Sequence, residues 1–347
     1  MAGISRRAFT ATSLALALHG WAGRAFAAAP PVARVICDND FSGDPDGLFQ
    51  LAHHVLSPSV DIPLIVGSHL PGGNGWGGNA SASDAATAAR DLLRVMHRDN
   101  DYRIVAGSET AIAARDNWQP SPATKAIVAE AMRTDAAGPL VYCAGASLTE
   151  LALAWLAEPR IGKRIRLIWI GGNEHPGLAS PPPKADPLEF NLGMDPLAAQ
   201  IIFNESDIEI WQVPRDAYRQ MLFSYAELAE LAEMGPLGRY LSSRIDGISE
   251  AMARMLPNVT FPRTETYILG DSPLVTLTAL QSFFQTDPSS SAYSLRPTPR
   301  LLASGGYAAS PRGRPMRVYT RIDSRLTFAD MKAKFRVEDR RLAAATA

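Results

Sequence analysis

Asp38, Asp40, Asp44 and Asp46 fall within nine positions of the stretch VARVICDNDFSGDPDGLFQLAHH, residues 32–54. Carboxylates so close together repel one another unless something compensates. Local structure explains part of the cluster. An aspartate at a helix start caps free N–H groups and suits the helix dipole. Ser42-Gly43-Asp44-Pro45 is ordinary turn chemistry. Caps and turns use one or two aspartates, not four. A hard divalent cation removes the repulsion, because it takes several oxygen ligands. Carboxylate and backbone oxygens favour Ca²⁺ or Mg²⁺ over zinc. The expectation is a metal site, with a solvated acidic loop as the plainer alternative.

The elements that must position this loop are legible around it. Apolar, strand-like runs occur at 32–37, 61–68, 102–108, 139–145, 164–172 and 207–214. Amphipathic helical runs fall at 46–56, 82–97, 121–134, 147–157 and 195–204. Near-continuous Val/Ile/Leu strands separated by helices imply an α/β fold, with an open, mostly parallel, Rossmann-like sheet and helices on both faces. The first run ends at Cys37. Asp38 to Asp46 then forms a loop at the carboxyl edge of the sheet, and Asp46 opens a helix. Two more loops follow strands: the glycine-rich stretch 70–83, which carries Trp76, and the proline-rich stretch 173–191, which ends in Glu-Phe-Asn. Ligands of open α/β sheets bind at that edge. Residues 215–290 read as mostly helical, and SLRPTPRLLAS and PMRVYTRID offer late strands.

The chain of 347 residues is 46% apolar and 20% charged, which is ordinary globular composition. A net charge of −1 gives no reason to expect a nucleic acid or an acidic membrane as partner. Residues 1–27 read as a twin-arginine-type signal peptide, with Arg6, Arg7 and Phe9, a short apolar stretch, and small residues around Ala25-Phe26-Ala27. Cleavage after Ala27 would deliver residues 28–347, a single domain, to the periplasm already folded, with no membrane partner after processing. Cys37 and Cys143 sit in apolar runs outside any redox or zinc spacing and read as buried thiols.

Asp-x-Asp after a first strand suits two families. One is the haloacid-dehalogenase phosphatases, in which the first Asp attacks phosphate. The other is the nucleoside hydrolases, which hold Ca²⁺ with an aspartate cluster. Four segments resemble the inosine–uridine-preferring nucleoside hydrolase family: DNDFSGDPDG (38–47), CAGASLTELALAWLAEP (143–159), LIWIGG with EFNLGMDPLAAQIIF (189–203), and LGDSPLVTLTAL (269–280). RVYTRIDSRLTFADM also resembles that family's carboxyl end. The order and spacing of these segments favour the hydrolase over the phosphatase, which has no use for Glu-Phe-Asn-x-x-x-Asp-Pro.

The resemblance implies the nucleoside hydrolase fold and calcium-dependent cleavage of the N-glycosidic bond of ribonucleosides, releasing base and ribose. It implies that Asp40, Asp46, Asp271 and the Gly145 carbonyl bind Ca²⁺, and that Asp40 is also the general base. Asp44, Glu189, Asn191 and Asn173 would hold the ribose hydroxyls, and Asp38 would orient the loop from behind. The implied partner is a small nucleoside or ribosyl substrate, and the implied assembly a homo-oligomer.

The chain departs from the family pattern in four places. Pro45 separates Asp44 from Asp46, where the family has two adjacent aspartates. This Gly-Asp-Pro-Asp spelling also occurs in a hydrolase-like subgroup described as sugar-binding. Gly270 precedes Asp271, where many members have the histidine that protonates a leaving purine. Ser68 and Glu150 stand where asparagines are usual. His69, His175, Tyr267 or none of them would be the proton donor. The alternative function is a catalytically altered ribosyl- or sugar-binding member of the fold, or a hydrolase of another N-ribosyl compound.

Overall fold

The computed structural model describes residues 30–71, 81–255, 264–282 and 286–346. The leader at 1–27 and Trp76 lie outside these residues. Strands β1 (Ala33–Asn39), β2 (Val60–Gly67), β3 (Ile104–Ala106), β4 (Leu140–Ala144), β5 (Ile165–Ile170) and β6 (Glu209–Val213) alternate with helices α1 (Asp46–Val55), α2 (Ala82–Val95), α3 (Pro122–Ala131), α4 (Thr149–Ala157), α5 (Phe190–Met194) and α6 (Pro196–Asn204). The carboxyl half adds α7 (Arg215–Tyr218), β7 (Leu222–Ser224), α8 (Tyr225–Met234), α9 (Pro236–Met255), β8 (Thr266–Ile268) and α10 (Pro273–Thr276). Strands β9 (Ala292–Pro297), β10 (Arg300–Leu301), β11 (Tyr307–Ala308) and β12 (Pro315–Arg321) follow, and helix α11 (Ser324–Thr346) closes the chain. Among the described residues, no helix is long and apolar enough to cross a membrane.

An eight-stranded sheet runs in the order β3-β2-β1-β4-β5-β6-β12-β9. Every pairing is parallel except the edge strand β9, which runs antiparallel to β12. The sheet therefore has the expected α/β architecture. Its inward residues alternate along each strand. Val35 and Cys37 of β1 join one apolar core with α1, α2 and α11, whereas Ile36 joins a second core with α3, α4 and α6. Strand order reverses between β1 and β4, the place where such sheets open a crevice at their carboxyl ends. Cys37 pairs with Cys143 across those two strands, and both are free, buried thiols.

Two details differ from the sequence reading. β1 continues through Asn39, so Asp38 lies in a strand and not in a loop. The hydroxyls of Ser68 and Tyr142 both donate to the Asp38 carboxylate, which lets a buried carboxylate sit within the sheet. Residues 215–290 are mostly helical, but β7 and β8 form a small antiparallel pair there. The motif aspartate Asp195 caps α6 at the Ala198 N–H (2.9 Å) and also accepts from the Ile112 N–H (2.9 Å) and the Thr149 hydroxyl (2.7 Å). Asp195 thus anchors α6 and the segment that carries Glu189 and Asn191. Glu150 is structural in the same way: its carboxylate accepts from the Ser108 N–H and the Ser121 hydroxyl.

Candidate active site

The β1–α1 loop is tight because its backbone and side chains bond one another. The Gly43 N–H donates to the Asp40 carbonyl at 2.7 Å, and the Asp46 N–H to Asp44 Oδ1 at 3.2 Å. Asn39, at the end of β1, accepts from the Asp40 N–H at 2.9 Å and donates Nδ2 to Asp271 Oδ2 at 2.8 Å. The Asp271 N–H in turn donates to Asp46 Oδ2 at 3.1 Å. These bonds tie the segment before α10 to the amino-terminal loop. At Gly145, past β4, any Cβ would stand 2.7 Å from Asp271 Oδ2, so only glycine fits there.

Asp40, Asp44, Asp46, Gly145, Glu189, Asn191 and Asp271 all line one cavity of about 230 Å³. Leu70, Ile170, Phe190, Tyr218, Ile268 and Gly270 complete its wall. Asn173 does not line it. Asn173 instead braces the loop, donating to the Pro187 carbonyl (2.7 Å) and accepting from the Glu189 N–H (2.7 Å). Asp38 lies behind the cavity. A wider cleft adjoins it and shares Glu189, Phe190 and Tyr218.

Electrostatics follow from this crowding. Burial, then the charges of Asp271 and Asp44, push the Asp40 carboxyl well above the usual carboxylate range. Burial and the neighbouring aspartates do the same to Asp46. Burial raises Asp271 to about 7, and it raises Asp38 to about 7 against the hydroxyl bonds from Ser68 and Tyr142. Among the described residues, no three His, Cys, Asp or Glu side chains form a ready-made ligand group. Asp46 and Asp271 are engaged by the main-chain and amide donors named above. The donor chemistry nevertheless fits a hard divalent ion, with oxygen atoms only and several carboxylates whose ionised forms need a positive charge.

Two side chains are fixed by several hydrogen bonds each. Asn191 Nδ2 donates to the Gly145 carbonyl (2.9 Å) and the Ile170 carbonyl (2.8 Å). Both amide hydrogens are used, so the Asn191 carbonyl oxygen is the atom left for a ligand hydroxyl. The Glu189 carboxylate accepts from the N–H groups of Gly172 (2.7 Å), Leu192 (3.0 Å) and Asn191 (3.2 Å) and from the Tyr218 hydroxyl (2.8 Å). That fills about four acceptor positions, all that a carboxylate offers. Glu189 is therefore an anchor of the wall, and it meets a ligand hydroxyl only by releasing Tyr218.

The sequence model of the inosine-uridine preferring nucleoside hydrolase family matches residues 35–339. The chain belongs to this family. A stretch of 89 residues, 25% of this chain, is 39% identical to the inosine-uridine preferring nucleoside hydrolase of Leishmania major. That stretch spans about a quarter, 26%, of the Leishmania protein's own length. The fold is that of the purine-preferring ribonucleoside hydrolase from Gardnerella vaginalis, with a TM-score of 0.62 and 17% identity over 88% of this chain and 99% of that one. It is likewise that of the inosine-uridine preferring nucleoside hydrolase from Bacillus anthracis, with a TM-score of 0.56 and 17% identity over 88% of this chain and 99% of that one.

Within this nucleoside hydrolase-family chain, sequence reasoning missed Asn39, Tyr218 and Phe190. Asn39 is the residue between two aspartates, and strand alternation turns it toward Asp271. Phe190 sits between Glu189 and Asn191 in the Glu-Phe-Asn motif, whereas Tyr218 carries no local signal and reaches the cavity by packing alone. Of the three proton-donor candidates, none lines it. His175 stacks on Tyr307 with centroids 4.1 Å apart and bonds Gln212. His69, next to Leu70 of the wall, is buried with its Nε2 unpartnered, and the Tyr267 hydroxyl donates to Asp44 Oδ1 at 2.7 Å.

Proposed function

We propose that the cavity hydrolyses the N-glycosidic bond of ribonucleosides with Ca²⁺ as cofactor, releasing base and ribose. The observation that carries this reading is the convergence of Asp40, Asp44, Asp46 and Asp271 with Asn191 on one cavity at the β1/β4 switch point. Asp40, Asp46, Asp271 and the Gly145 carbonyl would hold the ion. A bound Ca²⁺ supplies a fixed positive charge that orients and acidifies the attacking water.

The chain's own groups do the rest. Asp40 accepts the proton of the water that attacks C1′. The surrounding carboxylates favour the positive charge that develops on the ribosyl ring. Asp44 and the Asn191 carbonyl oxygen accept from ribose hydroxyls and hold C1′ in line with the water. Glu189, locked by three N–H groups and Tyr218, keeps Asn191 in place.

A second reading is favoured by Gly270, which stands where a leaving-group acid is usual. It is a member of the fold that binds ribosyl compounds without cleaving them. Turnover separates the two. Incubating the protein with inosine or uridine in Ca²⁺ should release base and ribose in equal amounts, read by chromatography and reducing-sugar assay. Thermal stabilisation by nucleoside with no base released would decide for the binding reading.

A further inference from the structure

A purine or uracil leaves a ribosyl ring as an anion unless a proton reaches it, and the imidazole and phenol donors near the cavity can be followed one by one. Among the described residues, no histidine lines it. His53 bonds Asp330 and His54 bonds Thr278, both on α1 beneath other helices. His97 is exposed beyond the end of α2. His69 and His175 are buried outside the cavity wall. By sequence, the stretches 72–80, 256–263 and 283–285 contain no histidine, carboxylate, lysine, thiol or phenol.

A side chain at residue 270 would be crowded from its first atom. A Cβ there would stand 3.2 Å from Tyr218 Cδ2 and 3.3 Å from Asp46 Oδ2. The Tyr218 ring takes up that space, but its hydroxyl is committed to Glu189 at 2.8 Å. The Tyr267 hydroxyl is committed to Asp44 in the same way. The rest of the wall is made of carboxylates, the Asn191 amide and apolar or aromatic side chains, of which Phe190 and Ile268 are each 39% exposed. Carboxylates attract a cation, and an aromatic face receives a planar one.

We infer that this site is fitted to cationic N-ribosides, N-ribosylpyridinium compounds above all, whose base departs without needing a proton. The inference rests on the ribohydrolase reading above and names the substrate class of that same site. In the step, the C1′–N bond breaks and both its electrons pass to the pyridinium nitrogen, which leaves as a neutral pyridine. The water oxygen bonds C1′, and the proton it loses passes to Asp40 and then to solvent. One cation and one water give ribose, a neutral base and one proton.

The test compares kcat on 1-ribosylnicotinamide, inosine and uridine for the full mature chain in Ca²⁺, with Tyr218→Phe run beside it. A missing general acid is worth about 100-fold or more in rate, so the cation should outpace both neutral nucleosides by about that factor. Tyr218→Phe should change all three rates by a similar factor. Inosine or uridine cleaved as fast as the cation would overturn the inference and leave the ribohydrolase reading standing. So would a Tyr218→Phe variant that slows the neutral nucleosides alone, because Tyr218 would then be the acid. Release from no riboside at all would overturn the ribohydrolase reading itself.

Discussion

Asp40→Asn is expected to lower kcat on any ribonucleoside substrate by about 10³-fold at saturating Ca²⁺ and to leave the protein folded. The amide keeps the shape of the side chain but cannot take a proton from water. Stability should not suffer. The Asp40 carboxyl is held well above the usual range, by burial first and by Asp271 and Asp44 next. A carboxyl whose folded value is raised stabilises the fold only at low pH, and that contribution is lost as pH rises through the folded value. Near pH 8 the buried Asp40 carboxyl therefore costs the metal-free fold, and asparagine removes the cost. The Tm of the variant in chelator at pH 8 should equal or exceed that of the unmodified chain. A kcat within tenfold of the unmodified chain would remove Asp40 from the role of base.

Discrimination against 2′-deoxyribonucleosides is the second large effect, a loss in kcat/KM of about 10⁴-fold. The reason lies in which atoms remain for a ligand. The two N–H groups of Asn191 are taken by the Gly145 and Ile170 carbonyls, so its oxygen faces the cavity without a donor. Asp44 holds Tyr267 and the Asp46 N–H through Oδ1, which leaves Oδ2 for a hydroxyl. A substrate lacking the hydroxyl buries these acceptors unpaired, and each costs about 1–3 kcal/mol. Steady-state rates for inosine and 2′-deoxyinosine measure this directly. Rates within tenfold of each other would mean that Asp44 and Asn191 do not hold the ribose diol.

What the sequence disclosed depended on distance along the chain. Asp40, Asp44 and Asp46 announce themselves because they crowd one short loop, and Glu189 and Asn191 because they close a proline-rich stretch after a strand. Six strands and five helices were legible from periodicity, since parallel strands buried on both faces read as unbroken apolar runs. Asp271 stands 225 residues from Asp46 and was legible only through the family resemblance. The end of β1 was misplaced because Asp38 reads as a loop residue, and only the fold reveals the two hydroxyls that let it stay in the strand. Asn173 came to the ribose set only through the family resemblance, yet it lies off the cavity wall and bonds the Pro187 carbonyl and the Glu189 N–H. Tyr218 could not be read at all: its place against Gly270 and Glu189 arises from how α7 packs over the end of the sheet.

The central claim is that the aspartate cluster is a calcium-dependent ribohydrolase centre, and a calcium titration of activity tests it most directly. The protein is stripped with chelator, Ca²⁺ is returned in steps, and bound ion and ribose release are measured on the same samples. The account predicts no release from the stripped protein and a rate that climbs in proportion to bound Ca²⁺ and levels off near one ion per chain. Full activity in the stripped protein would contradict it, as would a chain that binds one Ca²⁺ and releases no ribose from any riboside.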